Sequence, residues 1–206
     1  MHLHMFEISH PRIYPVFDRI IGRNTKESRL NQRAKVIWLT GLSGSGKTTL
    51  ALKLEKELFN MGYFTQILDG DNIRTGINSN LGFTDNDRFE NIRRLAEISK
   101  LIMNCGIITI CASISPSEKI RKMAYDIIGR EDVIEVFVST PLEICESRDV
   151  KGLYAKARAG NIPFFTGIHA PFEAPVSTDI TINTAFRTPE ESLDELLIQI
   201  LPEITK

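Results

Sequence analysis

The sequence has little with which to staple, anchor or steer itself. Its three cysteines, Cys105, Cys111 and Cys145, show no C-x-x-C spacing and no clustered histidine partners. That excludes a disulfide framework and a zinc site, and each reads as a small buried hydrophobe. No apolar run approaches the length of a membrane span, and Met1 to Pro15 holds His2, His4 and His10 where a signal peptide needs an apolar core. A cytoplasmic protein of a reducing compartment is expected. The three histidines have no acidic or cysteine partner and read as solvated. A charge excess is missing too, since 25 Lys and Arg against 26 Asp and Glu leave a formal net charge of −1. Such a chain offers no electrostatic footprint for nucleic acid or an anionic membrane. Any anion it binds must be caught by a local cluster of donors, which points to a small ligand.

What is present is a globular composition, with 42% hydrophobic and 25% charged residues over 206 positions, enough for one large α/β core. Residues 1–33 lack a clear period and read as a partly ordered N-terminal arm; residues 34–206 read as one domain. From Lys35 onward short β-branched runs alternate with longer amphipathic segments, the pattern of a parallel sheet with crossover helices. Strands are predicted near 35–40, 64–68, 107–112, 133–138 and 179–182, with helices near 47–61, 86–104, 117–129, 141–147 and 189–201. Gly106 reads as the stop of the second helix, and Pro116 and Pro141 as first-turn residues of the third and fourth.

Directly behind Val36-Ile37-Trp38-Leu39 stands Gly41-Leu42-Ser43-Gly44-Ser45-Gly46-Lys47-Thr48, followed by Thr49-Leu50-Ala51. This is strand, G-x-x-x-x-G-K-[ST] loop, helix. The glycines let successive backbone N–H groups turn toward one centre, where they and the helix N-terminus cradle phosphate oxygens. Lys47 would reach the β- and γ-phosphates of ATP and Thr48 would hold Mg²⁺. The alternative, a Gly/Ser-rich loop without a ligand, does not account for the strand before it and the helix after it. The fold class that follows is α/β, a P-loop NTPase-like three-layer fold with a five-stranded parallel sheet and a helical lid.

Ligands in such sheets bind beyond the carboxyl ends of the strands. The second strand ends in Leu68-Asp69-Gly70-Asp71-Asn72. One carboxylate could orient Mg²⁺ through water while the other takes a proton from an attacking hydroxyl; the simpler alternative is an Asp-Gly turn with Asp71 capping the next helix. Arg88 and Asn91 lie three apart, hence on one helical face, and could meet the same anion together with Arg74. Arg93 and Arg94 read equally well as surface partners of Glu90 or Glu97. Phe83 and Phe165 could close on a flat ring, although composition alone makes either a core residue. Residues 148–175 carry Arg148, Lys151, Lys156 and Arg158 among Gly160, Pro163, Gly167, Pro171 and Pro175. That is too long for an idle connection and suits a basic lid over phosphates.

Together these blocks resemble the adenylyl-sulfate kinase (APS kinase) family: Thr40 through Lys47, Leu68-Asp-Gly-Asp-Asn-Ile-Arg74, Leu81-Gly-Phe83, Asp87-Arg88 through Arg94, Ile114-Ser-Pro116, Arg148-Asp-Val-Lys-Gly-Leu-Tyr154, Lys156 through Gly160 and Phe165-Thr-Gly-Ile168. The resemblance spans about Lys35 to Pro175. It implies transfer of the γ-phosphoryl of MgATP to the 3′-hydroxyl of adenosine 5′-phosphosulfate, in sulfate activation. It further implies ATP on Gly41, Ser43, Gly44, Ser45, Gly46, Lys47, Thr48 and Thr49, with Arg148 near the ATP adenine. The sulfonucleotide would rest on Asp71, Arg74, Arg88, Asn91, Ile114, Ser115 and Lys151, its adenine between Phe83 and Phe165. Lys47, Asp71, Asp69 and Ser115 are the catalytic candidates, Asp71 nearest the acceptor and Asp69 with Thr48 at the metal. A serine matching Ser115 has a phosphoenzyme role ascribed to it in the family, a step that in-line transfer between two facing nucleotides does not require. The chain departs from the family pattern at Ser117-Glu118 and at His169-Ala-Pro-Phe-Glu173. With no sulfurylase domain after Lys206, a free-standing kinase is expected, as a homodimer.

Two other readings share parts of this pattern. A P-loop kinase for a nucleoside, sugar or shikimate-like acceptor would use Lys47 but leaves the Arg88/Asn91 pair and Lys151 without a task. A nucleotide switch would need an Asn-Lys-x-Asp guanine signature, which is missing; intact Asp69, Asp71 and Lys47 argue against a silent regulatory partner.

Overall fold

The structure, a computed structural model, describes residues 12–206, so His2, His4 and His10 lie outside it. In chain order the elements are α1 (Arg23–Leu30), β1 (Val36–Thr40), α2 (Lys47–Asn60), β2 (Thr65–Asp69), α3 (Gly70–Arg74), α4 (Asp85–Met103), β3 (Ile108–Ala112), α5 (Glu118–Ile128), β4 (Val133–Val138), α6 (Leu142–Arg148), α7 (Leu153–Arg158), β5 (Ile180–Ile182) and α8 (Pro189–Ile204). The five strands form one parallel sheet in the order β2-β3-β1-β4-β5.

The layers follow from two-residue alternation along strands buried on both faces. In β1, Ile37 and Leu39 point to a core shared with Leu50, Leu54 and Leu58 of α2 and Leu196 and Ile200 of α8. Val36 and Trp38 point the other way, among Ile92, Leu95 and Ala96 of α4 and Ala124 and Ile128 of α5. Fully burying one such side chain contributes about 1.5–3 kcal/mol, so the two cores are what fix the strand register. The crossover through α2 leaves β1 on one face and the one through α5 leaves β3 on the other. These neighbouring strands therefore diverge at their carboxyl ends, opening a crevice there.

The arm is helical over α1, which docks through polar contacts and so shows no apolar period: Arg23 reaches Asp132 at 2.6 Å, and the buried Gln32 side chain donates to the Phe64 and Gly106 carbonyls at 3.0 and 2.8 Å. Two expectations need correction. Pro116 and Pro141 stand just outside their helices, because Ser117 caps α5 with its hydroxyl and Pro141 itself precedes α6. Cys105 is exposed at the end of α4, while Cys111 and Cys145 are buried. Among the described residues no helix is long and apolar enough to cross a membrane.

Candidate active site

The P-loop connects β1 to α2 in a conformation only glycine allows at two points. A Cβ on Gly41 would stand 2.6 Å from the Val138 carbonyl oxygen, and one on Gly44, at φ +73°, 2.9 Å from that of Cys145. The loop is held from behind by hydroxyls at the ends of β4 and β5: Thr140 and Thr184 each donate to the Ser45 carbonyl at 2.9 Å. Within the loop the Ser45 N–H donates to the Leu42 carbonyl at 3.2 Å. Lys47 is buried and donates to the Leu42 carbonyl at 2.7 Å, so it curls over its own loop. Loss of solvation pulls its pKa down to about 8.

At the end of β2 the two aspartates part ways. Asp69 is buried; one oxygen accepts from the Thr48 hydroxyl at 2.8 Å and the other from the Asp71 and Asn72 N–H groups at 3.0 and 3.3 Å. It is therefore Asp69, and not Asp71, that caps the short helix α3. Asp71 is exposed and forms an ion pair with Lys151 of the loop expected to be a lid.

The opposite wall is cationic and aromatic. Arg74 lies 4.4 Å from the centre of the Phe83 ring and donates to the Leu81 and Gly82 carbonyls. Arg88 donates to the Phe83 carbonyl at 3.0 Å, to the Thr166 hydroxyl at 2.6 Å and to the Phe164 carbonyl. Burial lowers the pKa of both guanidinium groups, and neither forms a close carboxylate pair, so each is receptive to an anion. Asn91 is buried one turn beyond Arg88, its side-chain oxygen accepting from Asn78 at 3.0 Å. Beyond β3, Ile114 and Ser115 form a turn whose Ser115 hydroxyl accepts from the Trp38 indole at 3.0 Å.

Residues 148–175 bring α7 against the P-loop. The Tyr154 hydroxyl donates to the Ser43 carbonyl at 2.9 Å, its ring stands edge-on to Phe165 with centroids 5.0 Å apart, and Asp149 caps the helix. Arg148 is fixed by Thr184, to whose hydroxyl and carbonyl it donates at 2.9 and 2.7 Å.

The P-loop, the two aspartates, the cationic and aromatic wall and α7 meet on one cleft of about 970 Å³. Of the site residues predicted from sequence, only Gly41 and Ser45 stand off its wall, under the loop they shape. Phe83 and Phe165 line it, so the alternative that composition offered, a place in the core, does not hold; Phe83 is 62% exposed. Arg93 and Arg94 pair with Glu90 on the helix surface. Sequence reasoning missed Thr184, Tyr154 and Thr166. Thr184 stands two residues past β5, and the rule applied to the ends of the other strands would have found it.

The adenylylsulphate kinase family model matches residues 33–183. The chain belongs to that family. The kinase is 59% identical over 194 residues to the adenylyl-sulfate kinase of Bacteroides thetaiotaomicron, covering 94% of this chain and 96% of the relative. It is 49% identical over 178 residues to that of Clostridium kluyveri, covering 86% and 89%. Among solved structures, the Mycobacterium tuberculosis APS kinase in complex with AMPPNP and APS superposes with a TM-score of 0.79 at 43% identity, over 82% of this chain and 98% of that one. The kinase is thus an ATP-dependent adenylyl-sulfate kinase with a P-loop, acting in sulfate activation.

Proposed function

We propose that ATP lies along the P-loop and adenosine 5′-phosphosulfate along the opposite wall, so that the γ-phosphate meets the acceptor 3′-hydroxyl between Lys47 and Asp71. The observation that carries this is the shared cleft, which has Lys47 and Thr48 on one side and Arg74, Arg88 and Asn91 on the other. The N–H groups of residues 44–49 and the N-terminus of α2 hold the phosphates. Lys47 exchanges the Leu42 carbonyl for the β- and γ-oxygens, whose negative charge offsets its lost solvation. Arg148, anchored on Thr184, faces the ATP base.

Asp71 takes the proton of the 3′-hydroxyl. Asp69 is poorly placed for that, since its oxygens already receive three hydrogen bonds, whereas Asp71 is committed only to the exposed ammonium of Lys151. The hydroxyl of Thr48 and the carboxylate of Asp69, 2.8 Å apart, are the hard oxygen donors that suit Mg²⁺. A Mg²⁺ held by these two groups would supply positive charge to offset that of the phosphate oxygens. Arg74, Arg88, Asn91 and Lys151 hold the phosphosulfate end of the acceptor, and Phe83 and Phe165 flank its adenine. Ser115 binds and does not become phosphorylated: its oxygen is buried against the Trp38 indole, and direct in-line transfer leaves it nothing to carry.

We also propose a cytoplasmic homodimer. Three free cysteines support the compartment, and the exposed Phe17, Ile20 and Ile21 ahead of α1 supply apolar surface for association. Sedimentation would read the assembly. The reaction itself is tested by phosphorus NMR of the product made from equimolar ATP and adenosine 5′-phosphosulfate. A new phosphomonoester coupled to the ribose 3′-proton is expected; a phosphate elsewhere, or free phosphate, would refute the arrangement.

A further inference from the structure

Ser115 holds a backbone conformation that a residue with a side chain seldom takes, φ +46°. Such a conformation persists only where its surroundings fix it. Three buried donors do so here. The Thr40 hydroxyl binds the Ile114 carbonyl at 2.7 Å, the Trp38 indole binds the Ser115 hydroxyl at 3.0 Å, and Arg121 binds the Ser115 carbonyl at 3.0 Å. Thr40 and Trp38 come from β1, underneath the turn. Arg121 comes from α5, is 3% exposed, and does not reach the cleft wall.

A guanidinium buried this deeply needs a reason, because desolvation of a buried ion pair commonly cancels its attraction and an apolar pair of like volume serves stability as well. Its carboxylate partner is Glu135 of β4, 5% exposed, with Nε and Oε1 3.5 Å apart. What an apolar pair could not do is bind the Ser115 carbonyl. With both carbonyls of the turn drawn inward, and the peptide N–H of Ser115 opposed to the Ile114 carbonyl as in any trans peptide, that N–H points away from Thr40. Pro116 contributes no donor of its own.

We infer that Arg121, held by Glu135, is a positioning residue of the acceptor site: it sets the left-handed turn at Ser115 on which the sulfonucleotide rests, and touches neither nucleotide. This builds on the placement of the acceptor proposed above. Tyr125 supports the same corner, its ring edge-on to Trp38 with centroids 6.1 Å apart. In sequence Arg121 sits between Ile120 and Lys122 and looks like one more solvated charge of an amphipathic helix.

The test compares nucleotide dependence in the full chain. The double variant R121M/E135L removes both buried charges together, keeps the volume, and so should fold. It is expected to raise KM for adenosine 5′-phosphosulfate at least tenfold while KM for ATP stays within twofold; Arg121→Lys, which keeps a donor, should recover part of the loss. Glu135→Gln, close to isosteric, should give a smaller selective rise of at least threefold and keeps the test open should the double variant unfold. An acceptor KM within twofold of wild type in either folded variant would overturn the inference, as would equal rises for both nucleotides. Calorimetric titration of the ADP-loaded wild type with adenosine 5′-phosphosulfate separates the two levels. If the wild type binds it and the variants bind it equally well, only the role of Arg121 fails; if the wild type does not bind it, the acceptor placement fails.

Discussion

The Lys151 ammonium and the Asp71 carboxylate meet across the mouth of the cleft, joining the loop after α6 to the end of β2. Both side chains are more than half exposed, so the pair contributes no more than about 1 kcal/mol and opens readily. On the arrangement proposed above, Lys151 holds one of the two Asp71 oxygens, and substrate draws the ammonium onto the sulfonucleotide while Asp71 turns to its hydroxyl.

The loop over residues 148–175 should tighten most when both nucleotides are present, since Lys151 then trades Asp71 for the anionic oxygens of the sulfonucleotide. Limited proteolysis should slow at least several-fold with ADP plus adenosine 5′-phosphosulfate and little with either alone. Equal cleavage with and without ligands would contradict a lid.

Lys47 should be indispensable, and its burial should be visible in solution. Replacement by Ala is expected to reduce turnover by at least about a thousandfold, because phosphoryl transfer rests on positioning and charge; turnover within tenfold of wild type would contradict the P-loop role. The pKa of the ligand-free lysine lies near 8 against the ordinary 10.5. Below pH 8 the amine is charged in both folded and unfolded chains and its desolvation cost is present in full. Between pH 8 and 10.5 the unfolded chain holds the extra proton, so this group's contribution to stability rises with pH. ATP restores the charge, and titration near pH 9 in buffers of different ionisation enthalpy should show proton uptake that Lys47→Ala abolishes.

Much of this was legible before the structure. The P-loop and the strand ends could be read because their chemistry is local: glycine spacing, and carboxylates directly behind an apolar run. What could not be read depends on partners far away in sequence. Thr184 acts through Ser45 and Arg148, and α1 docks by ion pairs and amide contacts that leave no period. The departures from the family pattern show the same limit. Ser117-Glu118 and the segment ending in Glu173 look like separate changes, yet the Glu118 N–H donates to the Glu173 carboxylate at 2.8 Å and the Glu173 N–H to the Pro116 carbonyl at 2.8 Å. They form one seam tying the end of the lid loop to the start of α5.

Recognition by Arg88 should be geometric, because a planar fork matches paired anionic oxygens and an ammonium does not. Arg88→Lys also loses the bonds to Thr166 and the Phe164 carbonyl. KM for the sulfonucleotide should rise about tenfold or more with KM for ATP unchanged. Unchanged acceptor kinetics would remove Arg88 from the site.

Asp71 and Asp69 should fail in different ways. Asn keeps the shape of Asp71 but cannot take the proton, so Asp71→Asn should lower turnover by roughly 10²- to 10⁴-fold with nucleotide affinities nearly unchanged. Asp69→Asn should instead raise the Mg²⁺ requirement. Turnover measured against Mg²⁺ concentration separates them: rescue of the Asp71 variant by excess Mg²⁺, and not of the Asp69 variant, would invert the assignment.

The central claim is that one wall of the cleft is built for a sulfated adenosine nucleotide and the other for ATP. A coupled assay of ADP release, run with adenosine 5′-phosphosulfate, AMP, adenosine and shikimate as acceptors at equal concentration, tests it directly. The account predicts rapid release with adenosine 5′-phosphosulfate and at least about a hundredfold less kcat/KM with each of the others, because only the sulfonucleotide satisfies Arg74, Arg88 and Lys151 together. Equal or faster release with AMP, adenosine or shikimate would contradict it.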